Sequence, residues 1–378
     1  MKHKAFLLMA MACLLNACTQ TVLPGGGYGQ NGGFTTPQAP NPPAGTQQSP
    51  PVPQGKVLTV GALLPLSDPR IGQPMLNAMQ MALEDLQAEN VRLVVKDSGT
   101  TPAQAQMAAK DALKDGAHIL VGPVYAESVR AVKTMAKATP ILAFSTDTSV
   151  AGANTYLLSV LPGQQVERIL AHAKSQGRNT IAIITTADAY GDIVTQTGKA
   201  TLPQLGQNAP VILRVTPASA TTAPLPLPPQ TDAVLLALPP RLADTVASRL
   251  TPRRPALYGV GLWDDPALAQ TRYLQGAEFS APDPALRRRF ENTYRDLYGN
   301  APPRLATQAY DAIALASVLA MQGNGISAAT IQARAGFNGL DGLFRLNPNG
   351  LPERGLAVLR VNDNGLTAIA PAPTRFGL

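Results

Sequence analysis

From residue 57 onward, the chain alternates short runs of leucine and β-branched residues with segments of about ten to seventeen residues that have helical periodicity. In the segment Gln73–Ala88, for example, Met75, Met79 and Leu83 fall on one helical stripe. Such alternation is typical of βαβ units and parallel sheets. The first predicted strands are Val57–Leu64, Val91–Lys96, Ile119–Val121, Ile141–Phe144 and Tyr156–Val160, and the helices between them are Gln73–Ala88, Pro102–Lys114 and Ser128–Ala138.

The same alternation then starts again. Its predicted helices are Gln164–Gln176, Ile193–Leu205 and Arg241–Leu250, and its strands are Ile181–Thr185, Val211–Val215, Val234–Leu238 and Leu257–Val260. The chain ends with predicted helices Ala285–Tyr298 and Thr307–Met321, a strand at Gly342–Arg345, and a hairpin of Leu356–Val361 with Leu366–Ala370. A length of 323 residues from Lys56 exceeds what one core supports. We therefore expect two lobes, one of about residues 56–160 plus 283–340 and one of about 161–282 plus 341–378.

The first 55 residues have a different pattern. A basic lead, Met1–Lys4, precedes an apolar run, Ala5–Leu15, which is typical of a signal peptide and too short to span a bilayer. The tetrad Leu15–Cys18 that follows resembles the lipobox of bacterial lipoproteins. That resemblance implies removal of residues 1–17 and lipid attachment at Cys18, and hence a membrane anchor. The alternative is an ordinary secretory signal in which Cys18 stands by chance.

Residues 18–55 are predicted to form a disordered tether. Thr19–Gly55 contains eight prolines, eight glycines and no charged residue, so it cannot bury enough apolar surface to offset its ordering entropy. Loss of Lys2 and Lys4 with the signal leaves 29 basic and 24 acidic residues, a net charge of +5. These charges are scattered and the chain is exported, so a nucleic-acid partner is not expected. The one basic triple, Arg287–Arg289, is interpreted as a solvated helix face, with contact to anionic lipid or cell-wall polymer as the alternative.

Several segments resemble the type I periplasmic binding proteins, in particular the branched-chain amino-acid-binding family. The matching segments are Val60–Ser67, Val95–Ser98, Asp115–Pro123, Pro140–Ser145 and Ala187–Asp192. The resemblance implies an α/β fold in which two Rossmann-like lobes with parallel sheets are joined by three hinge crossings. A ligand would lie in the cleft between the lobes.

Four later segments narrow the resemblance. With the lipobox and the tether, they are similar to the penicillin-binding protein activator family, lipoproteins that stimulate a peptidoglycan synthase. The segments are Trp263–Pro266, Ala309–Ala312, Gly342–Arg345 and Glu353–Leu356. The similarity implies a partner among the penicillin-binding proteins, and a location on the periplasmic face of the outer membrane, with the inner membrane as the alternative.

Ligand-contacting residues are expected where the parallel strands end, because loops and helix N-termini present free N–H groups there. The candidates are Ser67, Tyr125, Ala126, Ser145, Thr146, Asp147, Tyr190, Trp263 and Asp264. In amino-acid-binding relatives, a hydroxyl pair after the fourth strand holds the ligand carboxylate, and an acid of the second lobe receives the ammonium. The resemblance assigns these roles to Ser145 with Thr146, and to Asp264. Tyr125 and Ala126 stand where a small hydroxyl residue is expected.

Each candidate also has a structural interpretation. Ser145 through Thr148 fit as caps of a following turn. Tyr190 and Trp263 fit as packing between the lobes, because aromatic residues with one polar atom suit half-buried seams. Tyr310 and Asp311 are interpreted as helix packing and a surface hydrogen bond.

Residues for catalysis or metal binding are scarce. Beyond the signal only His118 and His172 remain among the histidines, without acidic or cysteine partners at metal-ligand spacing. The segment Gly191–Lys199 misses the spacing of a phosphate-binding loop. We expect no cofactor, no metal and no catalytic residue. The sequence indicates a regulator of a peptidoglycan synthase, with a substrate-binding lipoprotein of an ABC importer for branched-chain amino acids or amides as the alternative.

Overall fold

The computed structural model describes residues 57–222, 224–250, 255–322, 325–363 and 365–377. The predicted signal segment 1–17, the lipidation site Cys18 and the tether up to residue 55 lie outside the described residues. None of the described helices is long and apolar enough to cross a membrane.

Five parallel strands form the first sheet, in the order β2-β1-β3-β4-β5. They are β1 (Leu58–Leu64), β2 (Val91–Asp97), β3 (Ile119–Val121), β4 (Ile141–Ala143) and β5 (Thr155–Leu157). The connecting helices are α1 (Gly72–Asp85), α2 (Pro102–Lys114) and α3 (Ala126–Ala136). Helix α2 begins where the sequence predicts, because Thr101 and Gln104 form a capping box and Pro102 occupies the first turn. In register, Val60 of β1 pairs with Leu93 on one side and Ile119 on the other.

The second sheet has seven strands and begins with a further βα series. This series consists of helices α4 (Pro162–Ser175), α5 (Ala189–Gln204), the one-turn α6 (Ser219–Thr222) and α7 (Pro240–Leu250), and of strands β6 (Ile181–Thr186), β7 (Val211–Val215), β8 (Ala233–Ala237), β9 (Ala256–Gly259) and β10 (Glu278–Ala281). These five strands run parallel to their neighbours within the series.

The remaining chain covers the first lobe and then returns to the second sheet. Its helices are α8 (Pro284–Tyr298), α9 (Arg304–Met321) and α10 (Ala328–Ile331). A three-stranded sheet of β11 (Phe337–Gly339), β12 (Gly342–Leu346) and β13 (Pro352–Arg354) follows. The hairpin of β14 (Ala357–Asn362) and β15 (Gly365–Ala370) then adds antiparallel to β10, which gives the order β15-β14-β10-β9-β8-β6-β7.

Each of the two larger sheets has a hydrophobic core on both of its faces. In the first lobe, α1, α8 and α9 cover one face and α2 and α3 the other. Helix α9 is buried on nearly all sides, as expected for a central helix that is apolar all round. In the second lobe, α4 and α5 cover one face, and α7 with Trp263 covers the other. The two-lobed α/β architecture predicted from the sequence is confirmed.

The chain passes between the lobes three times, after β5, after β10 and after β13. The third passage lies at residues 355–356, because Phe344 and Leu346 of β12 still pack in the core of the first lobe.

Candidate functional site

The carboxyl ends of β1, β3 and β4 form one edge of the first sheet, because these strands are parallel neighbours. Ser67, Tyr125 and Ser145 follow these three strands in turn. In the second lobe, Tyr190 follows β6 and Asp264 follows β9, two strands separated by β8 alone. The fold therefore arranges the predicted residues along the carboxyl-terminal edges of the two sheets, the edges at which open α/β folds in general bind ligands.

Ser67 is exposed, and its side chain is hydrogen-bonded to Asp97, the last residue of the neighbouring strand β2. Its hydroxyl donates to Asp97 Oδ2 at 2.5 Å, and the Leu66 N–H donates to Asp97 Oδ1 at 2.9 Å. Burial opposes ionisation of Asp97, but these bonds outweigh it and hold the pKa of Asp97 below its usual value. The loop after β1 is thus fixed to the end of β2.

Tyr125 and Ala126 start helix α3 rather than offering a small hydroxyl. Tyr125 is the residue before the first turn, is half-buried, and makes no side-chain capping bond. Ala126 packs at the margin of the core between the sheet and α2–α3. Neither side chain supplies the hydroxyl that amino-acid-binding relatives have after the third strand.

The Ser145–Asp147 group forms a capped turn. Ser145 is buried, and its hydroxyl accepts from the Asp147 N–H at 3.1 Å. Asp147 accepts from the Ser149 N–H at 2.9 Å and from Arg130 at 2.7 Å. The hydrogen bond from the Ser149 hydroxyl and the charge of Arg130 keep the pKa of Asp147 below its usual value. Thr146 is exposed.

Tyr190 lies in the first turn of α5, next to the capping residue Asp188. The side chain is half-buried, and its hydroxyl has no hydrogen-bond partner among the described residues. Burial, together with the negative charge of Asp188, raises the pKa of Tyr190. The hydroxyl therefore stays protonated at neutral pH and can donate a hydrogen bond.

Trp263 lies in the core of the second lobe. It has no exposed surface, its Nε1–H donates to the Leu238 carbonyl at 3.0 Å, and its ring packs on Phe279. Gly259 is needed beside it, because a Cβ there would lie 2.4 Å from the indole. This side chain has no face left for a ligand. It packs inside the second lobe and not between the lobes, where the structural interpretation of the sequence had it.

Asp264, the predicted partner of a ligand ammonium, is paired with two arginines of this chain. Arg287 Nη2 donates to Asp264 Oδ1 at 2.5 Å, and Arg304 Nε lies 3.4 Å from Oδ2. The side chains of Asp264 and Arg287 are only 10% and 5% exposed. Burial raises the pKa of Asp264, and the charges of Arg304 and Arg287 offset part of that effect.

The ion pairs of Asp264 with Arg287 and Arg304 join the two lobes. Asp264 adjoins Trp263 in the second core, whereas Arg287 and Arg304 belong to α8 and α9, which pack in the first. Arg287 also donates to Glu291 at 2.7 Å. We call Asp264, Arg287 and Arg304 the interlobe ion-pair group.

The interlobe ion-pair group continues into buried charges of the first lobe. Arg304 donates to Asp341 at 2.7 Å, and Asp341 also accepts from the Thr307 hydroxyl at 2.7 Å. Asp311 accepts from the Leu340 N–H at 2.7 Å, and burial together with nearby Asp341 raises the pKa of Asp311 to about 7. Arg354 donates to the Leu158 carbonyl and stacks on Phe344.

The sequence interpretation missed this network in two places. The sequence predicts a solvated face for Arg287 and a surface hydrogen bond for Asp311. In the structure the guanidinium of Arg287 is buried, and Asp311 has no exposed surface. A signal for Arg287 was present: it stands three residues before Phe290 and seven before Tyr294, on the buried stripe of α8. The signal for Asp311 is its place in the mostly apolar run Ala309–Ala316 of α9. Its contacts with β11 and β12 depend on distant parts of the chain and could not be predicted locally.

The predicted residues do not form one connected group. Within the described part of the chain, no hydrogen bond or ion pair joins Ser67, the Ser145–Asp147 turn, Tyr190 and Asp264 to one another. Both histidines have structural partners, since His118 accepts from the Thr59 N–H at 3.0 Å and His172 lies 2.8 Å from Glu278. The residues described include no cluster of three or more potential metal ligands.

Comparison with known proteins identifies the family. A family model described as periplasmic binding protein matches residues 57–366. The chain belongs to the periplasmic binding protein family. No curated protein matches it in sequence.

Solved structures support the type I periplasmic binding fold. The leucine-binding protein LivK of Thermotoga maritima is 20% identical with a TM-score of 0.58, over 84% of this chain and 99% of LivK. The C-domain of Haemophilus influenzae LpoA, a regulator of PBP1A, is 17% identical with a TM-score of 0.64, over 82% of this chain and 100% of the domain. Full-length LpoA is 18% identical with a TM-score of 0.66, over 84% of this chain and 59% of LpoA. This periplasmic binding protein thus shares its fold with a small-molecule carrier and with a regulator.

Proposed function

We propose that this periplasmic binding protein is a non-catalytic envelope lipoprotein that contacts a peptidoglycan synthase and regulates it. Lipid on Cys18 would anchor it to the periplasmic face of the outer membrane, and the tether would let the folded part reach the synthase. The partner would be a penicillin-binding protein.

The main support for this proposal is that Asp264 is already ion-paired within the chain. In the amino-acid-binding relatives that the sequence resembles, a carboxylate of the second lobe receives the ligand ammonium. Here Arg287 and Arg304 already bind that carboxylate, and both belong to the opposite lobe. Because removing a buried ion-pair partner leaves an uncompensated charge, a ligand could take Asp264 only at considerable cost. Regulation by surface contact makes no such demand.

The proposal can be tested by capture of the synthase from envelope extracts. Immobilised full-length protein is incubated with the extract, and retained proteins are labelled with a fluorescent β-lactam, which reacts with penicillin-binding proteins. We expect a labelled band that a purified synthase reproduces, together with a changed rate of glycan polymerisation when this protein is added. Absence of any β-lactam-reactive band, or an unchanged rate with the purified synthase, would count against regulation.

Tyr190 favours the second candidate, a substrate-binding lipoprotein of an ABC importer. Its hydroxyl is buried and has no hydrogen-bond partner among the residues that the structure describes. It lies at the carboxyl-terminal edge of the second sheet, where it could donate to a bound amino acid or amide. Ser145 lies at the corresponding edge of the first sheet. These residues would form a cleft that operates without Asp264.

A thermal-shift screen separates the two functions. A ligand at about 100 times its dissociation constant adds about 2.7 kcal/mol to the free energy of unfolding, which is easily measured. If the protein is an importer component, a branched-chain amino acid or amide raises the melting temperature, and Tyr190→Phe reduces the rise. A flat response across the panel removes the support for transport.

A further inference from the structure

A second recess lies outside the predicted cleft and shares only Asp264 with it. It has a volume of about 550 Å³, within the range of small-molecule sites. Its walls come from the segment between β9 and β10, from α8 with the start of α9, and from the turn between β14 and β15. We call it the α8 cavity.

The cations of the α8 cavity are largely committed to other groups. Arg287 binds Asp264, Glu291 and, at 3.5 Å, the Pro282 carbonyl, and Arg304 binds Asp264 and Asp341. Arg295 is exposed and donates to Asn292 at 3.2 Å.

The carboxylates are less fully used. Asp265 caps the Ala267 N–H at 2.7 Å and has no cationic partner among the described residues, and neither has Asp363. Asp264 itself is paired with Arg287 and Arg304. The lining holds four carboxylates, Asp264, Asp265, Glu291 and Asp363, against three arginines, and one of these, Arg304, also pairs with Asp341 outside the lining. The α8 cavity therefore has more negative charge than its own arginines neutralise.

The remaining lining is apolar and includes Pro266, Leu268, Pro302, Pro303 and Leu366. A metal ion does not suit this lining, because the described residues hold no cluster of three potential ligands. An anion would meet the surplus carboxylates. A cation with a hydrocarbon body satisfies both features of the lining, since its charge faces the carboxylates and its chain covers the proline and leucine surface.

We propose that the α8 cavity binds an organic cation, a primary ammonium or guanidinium carried on a short apolar chain. The charged end lies near Asp265 and Asp363, and the chain packs on Pro266, Leu268 and Leu366. This site goes beyond the proposed function, since it requires neither a synthase nor a permease, and its test uses neither.

The test is calorimetric titration of the full-length protein with n-pentylamine, 1,5-diaminopentane and agmatine, and with pentan-1-ol and pentanoate as neutral and anionic controls. We expect saturable binding of at least one cation and none of pentanoate. The double variant Asp265→Asn/Asp363→Asn should weaken that binding by at least about tenfold, because two facing charges are lost. Asparagine retains the capping oxygen at position 265, so the variant should fold.

A matched variant, Asp111→Asn/Asp296→Asn, removes the same charge from exposed positions outside the α8 cavity and should bind as the wild type does. The inference is overturned if none of the three cations binds, if both double variants bind equally, or if pentanoate binds as well as the amines. It is also overturned if Tyr190→Phe abolishes the binding, because the cation would then occupy the interlobe cleft.

Discussion

At the scale of single residues, Asp264 shows how a predicted ligand contact becomes a structural one. Its sequence position, directly after β9, is that of a ligand-binding acid. Which group reaches it depends on the approach of α8 and α9, about 20 to 40 residues further along the chain. A local motif carries no information on such a distant partner, so the sequence could indicate the acid but not its arginines.

Replacing Asp264 by asparagine should destabilise the fold. Arg287 is 5% exposed and would keep only Glu291 as a charged partner, so we expect the free energy of unfolding to fall by about 2 to 3 kcal/mol. Urea denaturation measures the change. Glu127→Gln, which breaks the exposed pair with Arg130, is the control and should have little effect. Equal losses in the two variants would contradict a special role for Asp264.

Asp311 should make stability depend on pH. An unperturbed aspartate has a pKa of 3.8, whereas burial and Asp341 raise that of Asp311 to about 7 in the fold. Between these values the folded protein binds more protons than the unfolded chain, so the free energy of unfolding falls as pH rises and levels off above about pH 7. The low pKa of Asp341 acts below pH 3.8, outside this window.

We therefore expect wild type to lose about 2 kcal/mol between about pH 5 and pH 7 relative to Asp311→Asn. Asparagine keeps an oxygen for the Leu340 N–H and carries no charge. Urea denaturation of both proteins at intervals across this range gives the difference. Parallel pH profiles would show that Asp311 does not titrate there.

At the scale of elements, the sequence pattern was most informative where strands are apolar and helices are capped. The bounds of α2, β3 and β7 agree with the prediction to the residue. The sequence pattern does not predict strand β10, because Glu278–Ala281 is short and of mixed polarity. This segment is extended because it pairs with β9 on one side and β14 on the other. In the three-stranded sheet, the sequence predicts only β12. Strands β11 and β13 have three residues each, which is too short for a recognisable pattern.

The contact between α5 and β6 depends on Gly191. A Cβ at this position would lie 1.9 Å from the Thr186 carbonyl oxygen, which is backbone and cannot move aside easily. We expect Gly191→Ala to push the first turn of α5 away from β6 and to lower the free energy of unfolding by about 2 kcal/mol or more.

Gly163→Ala is the matched control for Gly191→Ala. Gly163 lies in the first turn of α4, in the same lobe, and its added Cβ would meet the Thr197 hydroxyl at 3.3 Å. A small shift of that side chain accommodates it, so urea denaturation should give a clearly smaller loss. A loss as large as that of Gly191→Ala would mean that the close approach to Thr186 is not the cause.

At the scale of the whole molecule, the fold could be predicted from the sequence more completely than the site. Two α/β series and their order follow from local patterns, whereas the site depends on how the lobes meet. Four candidates, Ser67, Ser145, Asp147 and Asp264, use their polar atoms within the chain. Among the candidate residues, only Tyr190 presents a buried hydroxyl without a partner in the described part of the chain. A protein of this fold with its cleft groups internally satisfied should not need a ligand to hold its lobes together.

We therefore expect the lobes to keep one relative position in the absence of ligand. Spin labels at Met107→Cys in the first lobe and Lys199→Cys in the second would report the distance by electron–electron double resonance. Both positions are exposed, and both native cysteines, Cys13 and Cys18, are replaced by serine so that the labels attach only at the two chosen positions. Wild type should give one narrow distance distribution that leucine does not change, and Asp264→Asn should broaden it, since it removes the link to Arg287 and Arg304. A broad wild-type distribution that narrows with leucine would instead describe a carrier that closes on its substrate.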